Sequence, residues 1–222
     1  MDKLKVIYED NHVIVVIKPK GVPSQQDKTK DIDMLTLVKQ YIKEKYNKPG
    51  EVYLGLVHRL DRMTAGLMVF ARTSKAASRL SENIRNGDFK KEYVAAVKGK
   101  LEKEGVLQNF LFKDERTNTS YVVDENKKNA KLAKLEYKVI GYTKQNADEY
   151  TYVRIKLHTG RHHQIRVQFS NISHPLFGDV KYGSKKGDLA LIASKLTFIH
   201  PTKDEVLEFE FMPDKTGIWR DI

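Results

Sequence analysis

The chain has 222 residues, 40% apolar and 31% charged, with 13 Gly and 6 Pro. That composition excludes a disordered or collagen-like chain, and the length suits one domain of ordinary size or two small lobes sharing a core, a single catalytic unit over 1–222. Cysteine is absent, while 40 Lys+Arg against 29 Asp+Glu give a formal charge of +11. Thiolate metal sites and thiol nucleophiles are thereby removed, a polyanionic partner is expected, and a cytoplasmic location and a monomer without membrane attachment are the working expectation.

In chain order, residues 4–8 and 12–17 read as two strands across an Asp10-Asn11 turn that end at Lys18-Pro19-Lys20-Gly21. Asp31 or Asp33 then caps an amphipathic helix carrying Leu35, Val38, Tyr41 and Ile42, stopped by Asn47-Lys48-Pro49-Gly50. The continuous apolar run 66–71 reads as a buried strand. Thr73 or Ser74 next caps a helix with Ala77, Leu80 and Ile84 that closes at Gly87. Residues 93–97, 106–112, 132–142 and 150–157 supply further strands. Ile165, Phe169 and Ile172 mark a short helix, and Leu207, Phe209 and Phe211 alternate with Glu208 and Glu210 as a half-buried strand. This order predicts an α+β fold, a mixed and largely antiparallel central sheet with flanking helices.

Three segments combine polar groups with glycine beyond what a core requires. In His58-Arg59-Leu60-Asp61-Arg62-Met63-Thr64-Ala65-Gly66, a carboxylate flanked by Arg59 and Arg62 would be held ionised, as a nucleophile must be; the competing reading is a surface ion pair worth little. Tyr93, at a strand start, is by itself a packing residue that could also offer a flat face to a base. In His158-Thr159-Gly160-Arg161-His162-His163-Gln164-Ile165-Arg166, helix-start amides beside Arg161 and Arg166 favour an anion. His158 and His162 have helical metal spacing, but a strand-to-helix break separates them and no acid accompanies them, so no metal site is expected.

Taken together these segments resemble the RluA-type pseudouridine synthase family. Its His-Arg-Leu-Asp-x-x-Thr-Ser-Gly signature is matched by 58–66 with Ala65 in place of Ser, its Lys-x-Tyr strand by Lys91-Glu92-Tyr93, and its Gly-Arg-x-His-Gln-Ile-Arg segment by 160–166. Lys18-Pro19-Lys20-Gly21, His174-Pro175-Leu176-Phe177-Gly178-Asp179 and Phe198-Ile199-His200-Pro201 agree in order. Two departures from the family pattern stand out: Ile192 stands where many relatives have His, and a single catalytic domain over 1–222 is expected without the separate N-terminal RNA-binding module that many relatives carry.

The resemblance implies a central RNA-binding cleft and cofactor-free isomerisation of uridine to pseudouridine in ribosomal or transfer RNA. By position Asp61 would be the essential nucleophile or base, Tyr93 would stack on the target uracil, and Arg166 would pair with Asp61. Arg59 would hold the nucleotide out of its stack, with His58, Arg62, Thr64, Arg161, His163 and Gln164 as further RNA-binding candidates. The alternative is a catalytically inactive RNA-binding protein of the same fold. A metal-dependent RNA hydrolase using His158, His162 and His163 is a weaker third reading.

Overall fold

The first strands form where β-branched residues crowd: β1 (Lys5–Glu9) and β2 (Val13–Lys18) pair antiparallel. The Asp10 carboxylate makes their turn by accepting the N–H groups of His12 and Val13 at 2.7 and 2.8 Å. Although burial pushes the Asp10 carboxyl up, bonds from Val13, His12, His200 and Tyr8 hold it down at about 2. This computed structural model describes residues 4–145, 147–185 and 187–222.

Two compact units divide the chain: residues 1–91 with 193–211, and residues 92–192 with 212–222. In the first, α1 (Met34–Lys45) starts at Asp33, whose carboxylate accepts the Thr36 N–H at 3.0 Å. The two-residue β3 (Gly55–Leu56) and then β4 (Ala65–Ala71) follow. α2 (Ser74–Asn86) is capped by Thr73 Oγ1 and ends at Gly87, which takes the left-handed conformation at φ 81°.

The strand order is β1-β2-β4-β10, with β3 on β4 and β11 (Val206–Glu210) on β10 (Leu191–Ile199). β2 and β4 are buried almost throughout, which explains their unbroken apolar sequence. Val13, Val15, Val69, Leu80, Phe89 and Phe198 form the core under α2. At its rim, buried His200 meets Asp10 at 2.7 Å while its Nδ1 accepts the N–H groups of Thr202 and Lys203, tying two turns together.

In the second unit β5 (Lys90–Lys98), β9 (Asp148–Leu157), β8 (Lys131–Gln145), β6 (Glu104–Asp114) and β7 (Thr119–Val123) lie side by side in that order. All four pairings are antiparallel. α3 (Gln164–Asn171) packs Val167 on Leu111 and Ala133, together with Tyr182 of a short 3-10 turn (Val180–Tyr182). The boundary between the units falls inside β5 and β10. The architecture is α+β, as the sequence predicts; β7 and β10 are strands that the sequence reading left unassigned.

Candidate active site

The Asp61 turn lies in the first unit, between β3 and β4. Its carbonyl accepts the Thr64 N–H at 2.9 Å, closing a four-residue turn. Gly66, at φ 118°, follows; a Cβ there would run into the backbone of Ala193, so the glycine of the signature is required by close strand approach.

Three groups from residues 18–24 clamp this turn by its backbone. Ser24 Oγ donates to the Leu60 carbonyl at 2.8 Å and accepts the Leu60 N–H at 3.1 Å. Gly21, at φ 84°, donates its N–H to the Arg62 carbonyl at 2.9 Å. The fully buried Lys18 donates from Nζ to that same carbonyl and to Pro19 O, both at 2.9 Å. Burial pushes the Lys18 amine down, the Asp61 carboxylate pulls it up and Arg62 pushes it down, leaving it at about 7.

The neighbours of Asp61 depart from the expectations. The Arg62 guanidinium pairs with Asp31 and lies 3.6 Å from Asp27, so it faces two exposed acids across the turn. His58 is a buried core group: its Nε2 accepts the Val69 N–H at 3.1 Å and its ring lies 5.2 Å from Phe89. Burial, with Lys91 adding to it, pushes His58 down to about 3, so the ring stays neutral. Thr64 is likewise buried, whereas Arg59 is exposed.

The second unit carries the other expected residues. Tyr93 sits in β5 opposite Ile155 and is 6% exposed. Arg166, on the first turn of α3, is nearly buried; its Nε and Nη2 donate to the two oxygens of Asp179, both at 2.7 Å. This bidentate fork fixes the plane of the guanidinium, which also lies 5.1 Å over the Tyr182 ring. Asp179 reaches α3 because residues 174–179 are stitched to their surroundings, with Phe177 N–H on Ala96 O at 2.8 Å and Ala190 N–H on Phe177 O at 2.9 Å.

The loop before α3 is braced by side chains. Gln164, 3% exposed, accepts the Arg161 N–H and the Thr159 hydroxyl and donates to Lys134 O at 3.1 Å. Its amide acts as a strut for the loop. Because Gln164 takes the Arg161 amide and Arg161 O takes the Gln164 amide, two of the amides expected to face an anion are already paired. Arg161 itself is exposed and donates from Nε to Leu132 O at 2.8 Å.

His163, at φ 53°, stacks on His162 with ring centres 3.7 Å apart. Its Nδ1 is hydrogen-bonded to the Tyr182 hydroxyl at 2.9 Å, and that hydroxyl also accepts the Ser120 N–H. Burial and then the Arg166 charge push His163 down to about 2; burial and then Lys113 push His162 down to about 4. His158 is held apart, 2.8 Å from Glu136. Among the described residues no group of three or more His, Asp or Glu is arranged to hold a metal ion.

Sequence reasoning therefore missed Lys18, Ser24, Asp179 and Tyr182 as supports. A lysine closing an otherwise apolar strand at 13–17 was the available signal for the first; the others act through isolated side-chain hydrogen bonds that leave no periodic trace.

Comparison with known proteins bears on the family and the fold. The sequence profile of the family described as RNA pseudouridylate synthase matches residues 12–171. An uncharacterized RNA pseudouridine synthase of Aquifex aeolicus is 33% identical, the match covering 96% of this chain and 70% of that protein. The ribosomal large subunit pseudouridine synthases D of Nitrosomonas europaea and Vibrio cholerae are 32% and 34% identical, covering 95% and 93% of this chain. The chain spans 62% and 66% of the length of those two relatives. Among solved structures, human RNA Pseudouridylate Synthase Domain Containing 1 shares the fold at a TM-score of 0.78 and 23% identity, over 97% of this chain and 86% of that one. Motifs, fold and relatives converge: the chain belongs to the RNA pseudouridylate synthase family and is by class an isomerase.

Proposed function

We propose that this chain, acting as one catalytic unit, converts uridine to pseudouridine within ribosomal or transfer RNA, with Asp61 as the essential carboxylate. The observation that carries the reading is the Asp61 turn itself. Its flanking residues Leu60 and Arg62 are pinned by Ser24, Gly21 and Lys18, so the side chain is presented on a fixed backbone. The large-subunit synthases D among its relatives favour ribosomal RNA as the substrate.

In this reaction the bond from ribose C1′ to uracil N1 breaks, the base turns, and C1′ bonds to C5. The C5 proton leaves to solvent and N1 gains one, so nothing is consumed. The target must first leave its stack, at a cost of a few kcal/mol that stacking on Tyr93 and cationic contacts offset. Arg166, its plane set by Asp179, serves as a fixed cation of the catalytic machinery. Arg59 and Arg161, both exposed, are the RNA-binding side chains of the signature segments.

Incubation with RNA tritiated at C5 of uridine tests the activity: radiolabel released to water supports it, and RNA binding without release supports instead an inactive RNA-binding protein of the same fold. Mapping of pseudouridines in cells with and without the gene decides between substrates. Sites lost from ribosomal RNA support that class, sites lost only from transfer RNA the other, and no lost site overturns both.

A further inference from the structure

We propose that Lys18 is a positioning residue for Asp61: its buried ammonium fixes the turn through the Arg62 carbonyl and adds a positive charge that helps keep the neighbouring carboxylate ionised. The inference rests on the reading of Asp61 as the reactive carboxylate and gives a role to a motif, Lys18-Pro19-Lys20-Gly21, that the chemistry above does not use.

A fully buried ammonium is expensive unless polar partners compensate it. Lys18 ends β2 directly opposite Gly66, where β4 begins, so its side chain is directed at the segment that carries the signature. Two of its protons go to carbonyls, one of them on the residue next to Asp61. A neutral packing residue would leave the Arg62 carbonyl with the Gly21 N–H alone.

Two charged groups act on Lys18: the Asp61 carboxylate and the Arg62 guanidinium. Arg62 is itself engaged by Asp31 and Asp27, away from the turn. The sequence reading gave Asp61 its flanking arginines and, by resemblance, Arg166 as cationic neighbours; Lys18, 43 positions upstream, is a further one. Coupling of this kind is reciprocal: if Lys18 stabilises ionised Asp61, Asp61 must stabilise charged Lys18 to the same degree.

The test is a carbon-13 NMR titration of the full chain with labelled Asp and Lys, the two signals assigned by loss in Asp61→Asn and Lys18→Met. Lys18→Met, close in length but neutral, is expected to raise the Asp61 carboxyl midpoint by about one pH unit or more. The acid limb of kcat/KM for tritium release should move up by the same amount, and Lys18→Arg should restore both toward wild type. An unchanged midpoint and an unmoved acid limb in folded Lys18→Met overturn the proposal.

Should Lys18→Met fail to fold, the reciprocal measurement decides: the Lys18 amine midpoint must fall in Asp61→Asn, and an unchanged value overturns the proposal. Coupling without any tritium release by the wild type defeats the catalytic reading but leaves the electrostatic link supported. Release with an uncoupled pair does the reverse.

Discussion

The Asp61 turn is held by its backbone, whereas the loop into α3 is held by its side chains. In the first unit Ser24, Gly21 and Lys18 capture peptide groups of Leu60 and Arg62, so the side chain of residue 61 is free to be chosen for chemistry. In the second, Asp179 grips the Arg166 guanidinium itself, while Gln164 and Tyr182 lock the neighbouring loop. Backbone capture tolerates a change at position 61 itself; side-chain capture makes function and stability inseparable at position 166.

The sharpest way to break the first arrangement is Gly66→Ala. With φ at 118° and the Ala193 backbone in the path of a Cβ, the substitution should cost at least about 3 kcal/mol in urea unfolding. A loss under 1 kcal/mol would show that β4 and β10 can part there without harm.

Asp179→Asn attacks the second arrangement by leaving Arg166 nearly buried with its fork unmatched. It should cost about 3 kcal/mol and reduce activity together with stability. Asp61→Asn, by contrast, should leave the unfolding midpoint close to wild type.

Acid offers a graded comparison. His58, His162 and His163 have folded pKa values pushed below 6.5, so below that pH the unfolded chain binds more protons and stability falls with pH. The loss should start near pH 6.5 and continue toward about 4, where His162 begins to charge. Asp10 adds to it only between about 4 and about 2, the window in which its carboxyl is protonated in the unfolded chain but still ionised in the folded one. Lys18 acts in the alkaline window: with its folded value near 7 its burial penalty is relieved as pH rises from about 7 toward 10.5. Thermal midpoints at pH 7, 5 and 4 check the acid limb, and a flat profile would contradict the neutral histidines.

The smallest effect is expected of Tyr182→Phe, which leaves the Ser120 N–H and His163 Nδ1 without their shared hydroxyl. About 1–3 kcal/mol should be lost in urea unfolding. Unchanged stability would mean that the ring alone, packed on Val167 and under Arg166, does the holding.

These contrasts also explain what the sequence made legible. The element spans followed from period, caps and breakers: Asp33, Thr73 and Gly87 end helices where the chemistry of capping puts them. β7 escaped because Thr119-Ser120-Tyr121-Val122-Val123 carries no apolar–polar alternation. β10 escaped because Ser194 and Lys195 interrupt an otherwise apolar run.

The motif residues were legible as a set but not by function. His58 and Thr64 share a signature with Asp61, and Gln164 shares one with Arg166, yet His58 and Gln164 are buried braces of backbone groups. Arg62 turned outward because Asp27 and Asp31 offer it exposed partners from the loop before α1. Nothing in linear spacing distinguishes a residue that reacts from one that holds the reacting residue in place; only the direction of the hydrogen bonds does.

The most direct measurement is a single-turnover assay of C5 tritium release at matched RNA binding, comparing wild type with Asp61→Asn. The account predicts that Asp61→Asn folds with an unchanged thermal midpoint and loses release by at least about a hundredfold. Release by Asp61→Asn at the wild-type rate would contradict it.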